Sequence, residues 1–336
     1  MVSLDTQRSF LFRTSLEQYY AVDDWHILSA HGIAEDKDDD ANWPISVSMK
    51  NPGYKIVLDE LLRRVPPCKH IQLNSRVEKI HWKTATSCNH AAKSIEIELA
   101  NKSIISADHV IVTCPLGHLK QYGRRLFDPP LPQTKLDVID ALGVGTVNRL
   151  QLIFDEPFWS NDTLDFNMIR VKNQTNLPSC SSLPPLVETE LTRMLEIIVA
   201  TQKPPVLMIW ISGRNATLFE STSDNDILDA AMVVLRKYFN NPSIPRPRII
   251  RSAWLSNPLF NGAYSHTGME CKKINCQRSV LMEPLFDTID SKQVPLVLFA
   301  GEATNPIHFA TVHGAFATGT READRLANFY DRQETS

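Results

Sequence analysis

Apolar positions along the 336-residue chain fall mostly into short alternating runs, interrupted by a few stretches with helical spacing. HIQLNSRVEKIHW (70–82) and SIEIELA (94–100) alternate apolar with polar residues, as half-buried strands do. HVIVTCP, from His109 to Pro115, is a continuous apolar run and predicts a buried strand. Further strands are expected at 147–154, 205–213, 246–254 and 295–300. Helices are predicted at 51–65, where Ile56, Leu58, Leu61, Leu62 and Val65 share a face, at 224–239 with an acidic first turn, and at 314–329. Residues 8–25 read as helical surface with aromatic anchors. Glycines and prolines in LGHLKQYGRRLFDPPLP predict a crossing between domains over 116–142. Residues 175–186 read as loop and 270–292 as irregular. The pattern describes a mixed α/β (α+β) chain without internal repeats.

Composition narrows the class. Lys+Arg 35 against Asp+Glu 38 gives a formal charge of -3, which supplies no electrostatic reason to bind nucleic acid. Apolar runs such as VPLVLFA have strand length rather than membrane-span length, and no signal peptide is recognised, so no membrane partner is expected. Six cysteines form no CxxC or zinc pattern, and reduced thiols in a cytoplasmic setting are the expectation. The sequons at Asn101, Asn161, Asn173 and Asn215 are read as polar surface. EDKDDD at 35–40 is read as a solvated loop, and no metal site is expected. Only 12 glycines occur, about half the usual share.

The tail brings candidate chemistry. In LFAGEATNPIHFATVHGAFATGTREADRL (298–326) an apolar strand ends in Gly301-Glu302, a polar and aromatic loop follows, and Gly314 opens a helix. A carboxylate at a strand end beside a helix N-terminus suits a cofactor clasp. An ordinary strand–loop–helix crossover with a capping glutamate is the alternative.

Three further blocks decide between them: ADHVIVTCPLGHLK (107–120), GTVNRLQLIFDEPFW (145–159) and RSAWLSNPLFNGAYS (251–265). With the tail, in this order, they resemble the flavin-containing amine oxidases, most closely the polyamine oxidases. The resemblance implies a two-domain FAD-binding fold of which this chain would be the C-terminal portion. Residues 68–115 and 251–331 would belong to the FAD domain, and 1–67 and 116–250 to a substrate domain with a mixed sheet. It implies FAD-dependent oxidation of spermine, spermidine or their acetylated forms, by hydride transfer to flavin and reduction of O₂ to H₂O₂.

Residue by residue, the resemblance assigns Glu302 to the ribityl and diphosphate region, Gly301 to the cofactor-binding residues, and Thr311 and Val312 to backbone contacts with the flavin ring. Gly314 would permit close approach. Val77 would meet the adenine, and Trp254 would pack near the ring. Tyr264 and Phe309 would flank the substrate channel with apolar walls that exclude water and favour the neutral amine. His308 would sit at the rim. One position departs: Arg149 stands where the family commonly carries a lysine that holds a water against the flavin. Its guanidinium keeps a donor and a charge, but it is larger and does not release a proton at neutral pH.

No GxGxxG occurs in the chain, although FAD enzymes of this architecture use one to bring the diphosphate against a helix start. The family's leading strand–turn–helix unit has no counterpart here, and apolar strand edges are expected to be left open. Two readings follow. The chain belongs to a polyamine oxidase as a fragment or short isoform, or it is a non-catalytic paralogue that binds a partner. Gly53 preceded by Pro52, together with Arg149, leans toward divergence. Asp23, Asp24 and Glu35 are candidates for a cationic substrate by charge alone. A histone-demethylase-like role lacks the long helical insertion it would need.

Overall fold

The computed structural model describes residues 54–65, 71–83, 95–163, 165–167, 196–289 and 292–334. The expectations for 8–25, 35–40 and 175–186, and for Asp23, Asp24, Glu35, Pro52, Gly53 and Asn173, lie outside them.

Two buried clusters organise these residues. The first is built on a five-stranded antiparallel sheet. Its strands are β7 (Val147–Ile153), β8 (Asp165–Asn167), β9 (Glu196–Gln202), β10 (Pro205–Ser212) and β11 (Arg248–Arg251). The order is β11-β7-β10-β9-β8. Strand alternation puts Leu150, Leu152, Leu207 and Ile209 into the core. Helices α4 (Arg214–Ser221) and α5 (Asp224–Tyr238) close one face of this cluster. Helix α5 matches its expectation for clear reasons. Ser223 caps it by accepting from the Asp226 amide at 3.2 Å, acidic residues occupy its first turn, and basic residues its last.

The second cluster gathers smaller pieces. A four-stranded sheet runs β3-β2-β1-β5, from β1 (Val77–His81), β2 (Ile95–Leu99), β3 (Ile104–Ala107) and β5 (Phe127–Asp128). A three-stranded sheet runs β13-β14-β4, from β4 (Val110–Val112), β13 (Leu285–Ile289) and β14 (Lys292–Phe299). β4 and β14 are parallel, with Val297, Leu298 and Phe299 opposite Val110, Ile111 and Val112. This register sets the ends of both strands side by side, where the candidate site begins. Among the described residues β4 is an edge strand, with Ile111 38% exposed. β6 (Gly143–Val144) pairs briefly with β12 (Ser265–His266), and the long helix α8 (Val312–Glu334) ends the fold. Helix α1 (Lys55–Arg63) forms where the periodicity placed it, yet none of its residues is buried.

Three expectations need correction. The segment 116–142 is not a bare crossing but two helices, α2 (Leu116–Leu126) and α3 (Gln133–Ala141). Its prolines do not break them: Pro115 and Pro132 stand at the two N-caps, where a missing N–H costs nothing. Nor is Gly117 a breaker. A Cβ there would lie 2.3 Å from the Asn261 carbonyl oxygen, so glycine admits the neighbouring loop. Leu116, Leu119, Leu126, Leu136 and Ile139 pack in one core with Val112, Val297 and Phe299. The stretch 270–292 holds α6 (Met269–Lys273), α7 (Ser279–Met282) and β13, each too short to show a period. A disulfide joins Cys271 to Cys276 across the end of α6, where reduced thiols were expected.

Replacing a helical glycine by alanine ordinarily stabilises a protein by about 1 kcal/mol. Gly117→Ala is expected to do the reverse, costing about 2–3 kcal/mol through overpacking against backbone. Urea unfolding of the two proteins checks the sign.

Candidate active site

The site grows from the end of β14. Ala300 continues the parallel ladder by donating its N–H to the Val112 carbonyl at 3.0 Å. Gly301 then adopts φ +124°, a conformation that L side chains rarely adopt, and turns the chain out of the sheet. Its amide donates to the Thr318 hydroxyl of α8 at 2.9 Å. The turn delivers Glu302 into a short 3-10 helix, Glu302–Thr304.

Glu302 gathers three chain segments. Its Oε1 accepts from the Ser265 amide at 3.1 Å, and its Oε2 from the Ser265 hydroxyl at 2.6 Å and the Ala310 amide at 2.7 Å. The Ser265 hydroxyl in turn accepts from Arg278 Nη1 at 2.7 Å, and Arg278 also donates to the Ala303 carbonyl. The Arg278 guanidinium lies 4.1 Å from the centre of the Phe309 ring. The carboxylate thus shares a hydroxyl with a buried cation.

A cavity of about 250 Å³ opens where β4 and β14 end. Thr113, Cys114, Gly301, Glu302, Ala315 and Lys135 are among the residues that line it. A Cβ on Gly301 would meet only the Thr113 oxygen, at 4.0 Å. Lys135 is buried, and its ammonium donates to the carbonyls of Val280, Leu281 and Glu283. Burial pulls its pKa down to about 8 against the pull of Glu283 and Glu322. Burial pushes the Cys114 thiol up, so it stays a thiol at neutral pH.

Of the predicted cofactor residues, Gly301 and Glu302 line this cavity. Val77 begins β1, opposite Leu99, and is 37% exposed. Thr311 caps α8, its hydroxyl accepting from the Gly314 amide at 3.0 Å. Gly314 is required by its own loop, because a Cβ would lie 1.8 Å from the His308 carbonyl oxygen. Val312 is exposed in the first turn of α8. Phe309 is 3% exposed and faces Arg278 rather than the cavity lining. Tyr264 is half-buried, its carbonyl accepting from the Gly145 amide at 2.8 Å.

Arg149 and Trp254 come together elsewhere. The Arg149 guanidinium lies 4.1 Å from the Trp210 ring centre and 5.7 Å from that of Trp254. Burial lowers its pKa and the Tyr264 hydroxyl opposes the shift, but a guanidinium remains charged throughout the physiological range.

Sequence reasoning passed over Asn148 and Glu220, which hold Trp254 in place. Asn148, fully buried, donates to the Ala216 carbonyl and to Glu220 Oε1, and accepts from the Ser252 hydroxyl and the Trp254 amide. Glu220 accepts from the amides of Leu255 and Ser256. Burial raises the Glu220 pKa, and these hydrogen bonds outweigh it, so the net direction is down. An asparagine on an otherwise inward-facing strand position was the signal available. His266 was also passed over. It is 4% exposed with Nδ1 unpartnered, and burial, then Arg278 and Lys120, push its pKa to about 4.

Among the described residues no cluster of metal-ligating side chains occurs, and no helix is long and apolar enough to cross a membrane.

These elements belong to a known family. The profile of the flavin containing amine oxidoreductases matches residues 10–327, and the chain is a member of that family. The peroxisomal N(1)-acetyl-spermine/spermidine oxidases of Bos taurus and Homo sapiens are each 34% identical to it over 289 residues, covering 84% of this chain and 55% of theirs. A possible lysine-specific histone demethylase 1 of Drosophila melanogaster is 29% identical over 314 residues, covering 88% of this chain and 32% of its own. The chain therefore spans about half the length, or less, of these relatives. Putrescine oxidase, in a structure bound to putrescine, shares the fold with a TM-score of 0.57 at 17% identity, over 82% of this chain and 53% of that one.

Two measurements check this geometry. The unfolded chain protonates His266 near 6.5 and the folded one only near 4, so stability is complete above pH 6.5 and falls between those values. The loss is roughly 3 kcal/mol. His266→Leu should remove that slope in urea unfolding at pH 7 and pH 5. Glu220→Ala should cost about 1–2 kcal/mol by removing the charged acceptor shared by Asn148 and the half-buried Leu255 amide. It should also move the Trp254 resonance in a fluorotryptophan-labelled sample.

Proposed function

We propose that the chain acts as an FAD-dependent amine oxidase on polyamines or their acetylated forms. The observation that carries this reading is the cavity at the ends of β4 and β14, with Gly301 and Glu302 in its wall, in a chain 34% identical to acetyl-spermine/spermidine oxidases.

The residues present fit the ring and ribityl end of a flavin. Gly301 leaves open space where a Cβ would stand, and Glu302 Oε1 has a lone pair beyond its bond from Ser265. A carboxylate accepts from a hydroxyl and repels a phosphate, so Glu302 suits the polyol rather than the diphosphate. A bound flavin would supply the two-electron acceptor: hydride leaves the carbon beside the amine nitrogen, the imine is hydrolysed, and O₂ is reduced to H₂O₂.

This chain's own part is to orient. The Ser265, Ala310 and Arg278 bonds hold the Glu302 carboxylate still, so it meets a hydroxyl without reorganising. Phe309 backs this network under Arg278.

A second reading is favoured by Arg149. Its guanidinium is committed to the faces of Trp210 and Trp254, a poor state for a group that should hold a reactive water. On that reading the chain is a non-catalytic relative that binds a partner.

Reconstitution of Met1–Ser336 with FAD, followed by anaerobic N1-acetylspermine, separates the two. A retained flavin band that bleaches with the amine is the expected outcome. Retained flavin that no polyamine bleaches would favour the non-catalytic reading, and failure to retain flavin would overturn flavin-dependent activity for this chain. Glu302→Ala should weaken flavin retention about tenfold or more, from loss of a charged acceptor.

A further inference from the structure

The Cys271–Cys276 disulfide lies outside the sequence blocks that carry the family resemblance and outside the lining of the cavity. The Cys276 amide also donates to the Cys271 carbonyl at 2.9 Å, so backbone and sulfur close the same turn. Just beyond it, Arg278 stands at the N-cap of α7 and donates to the hydroxyls of Ser265 and Thr267 and to the Ala303 carbonyl. We propose that this disulfide is a thiol-exchange site whose redox state sets how firmly Arg278 holds Ser265 and, through it, Glu302.

The segment from Ser265 to Arg278 is closed twice. The outer closure is the set of bonds from the Arg278 guanidinium to Ser265 and Thr267. The inner closure is the disulfide, which shortens the chain path between Thr267 and Arg278. A shorter path loses less conformational entropy when its ends are joined, so the bridge favours the Arg278 bonds. Helix α7, on the far side of Arg278, is gripped independently: the Lys135 ammonium binds the carbonyls of Val280, Leu281 and Glu283. Freedom released by opening the bridge therefore falls on the 265–278 segment and not on α7.

The two sulfurs differ in access. Cys271 is 2% exposed and belongs to the second core, whereas Cys276 is half-buried and residues 272–275 are exposed. A low-molecular-weight thiol such as glutathione therefore meets Cys276 first, and the basic last turn of α6 draws its negative charge. Its thiolate attacks Cys276 Sγ, the disulfide bond breaks, and the electron pair leaves on Cys271 Sγ. That sulfur takes a proton, because burial favours the thiol. A second thiolate attacks the glutathione sulfur of the mixed disulfide, releasing glutathione disulfide and the Cys276 thiolate, which is protonated. Two electrons and two protons have entered the protein, and glutathione disulfide returns it to the bridged form by the reverse steps. The exchange requires neither flavin nor amine, and it stands whether or not the chain is catalytic.

The test equilibrates the full chain with glutathione or glutathione disulfide, maps the bridge by alkylation and peptide mass, and measures amide hydrogen exchange in both states. Glutathione disulfide should form the Cys271–Cys276 bridge, and glutathione should open it. Opening should speed exchange about tenfold in peptides carrying 270–276, Ser265 and Ala310, and leave β7 and β10 unchanged. Ala310 is the discriminating position, because it lies far along the chain and its amide is bonded to Glu302. The double variant Cys271→Ser/Cys276→Ser should exchange like the reduced chain in either buffer. Arg278→Gln should keep the redox difference at 270–276 and lose it at Ala310. Failure of glutathione disulfide to form the bridge, or exchange at Ser265 and Ala310 that ignores reduction, overturns the proposal. If Arg278→Gln does not fold, the wild-type peptides decide by the same two criteria.

Discussion

The carboxylate of Glu302 is the interaction on which the candidate site depends. It binds the start of α8, through the Ala310 amide, to β12, through Ser265, and it does so from the end of the central strand β14. A carboxylate in this setting needs donors on every side and a counter-charge nearby. The Ser265 hydroxyl meets both needs, passing one bond to Glu302 while accepting one from Arg278. Removing any member strands the others, so the strand end, the β6–β12 pairing and the helix start stand or fall together. The cavity keeps its polar edge for the same reason: Glu302 is held there by the protein before any ligand arrives.

A second polar node lies at the border of the first hydrophobic core. Asn148 lies fully buried on β7, at the border of the five-stranded sheet, and ties α4 to the segment from Ser252 to Ser256. One residue along, Arg149 points to the opposite face and meets Trp210 and Trp254. The alternation of a single strand therefore separates a structural amide from an exposed cation. The node also couples them, because it sets the position of the Trp254 peptide unit against which Arg149 rests.

Much of this was legible in the chain. The alternation in 147–154 and 205–213 yielded β7 and β10, and the spaced apolar face with its acidic start yielded α5. The family blocks led to Glu302 and Gly301, and both line the cavity. Helices α2 and α3 were hidden because proline and glycine carry two meanings. At an N-cap, proline fits a helix, and inside one, glycine admits a neighbour, but those contexts exist only once the loop 257–262 is packed in place. Asn148, Glu220 and His266 stood out by no spacing, since their partners lie far along the chain.

By itself, then, the sequence determined the local elements and the family, because hydrophobic period and motif order are properties of neighbouring residues. Tertiary structure alone decided which face each functional side chain meets. Phe309 turned out to support Arg278, Thr311 to cap α8, Gly314 to clear the His308 carbonyl, and Arg149 to lie between two indoles. Each of those outcomes depends on long-range packing and on the satisfaction of buried polar groups. These are sums over distant contacts that no local pattern encodes.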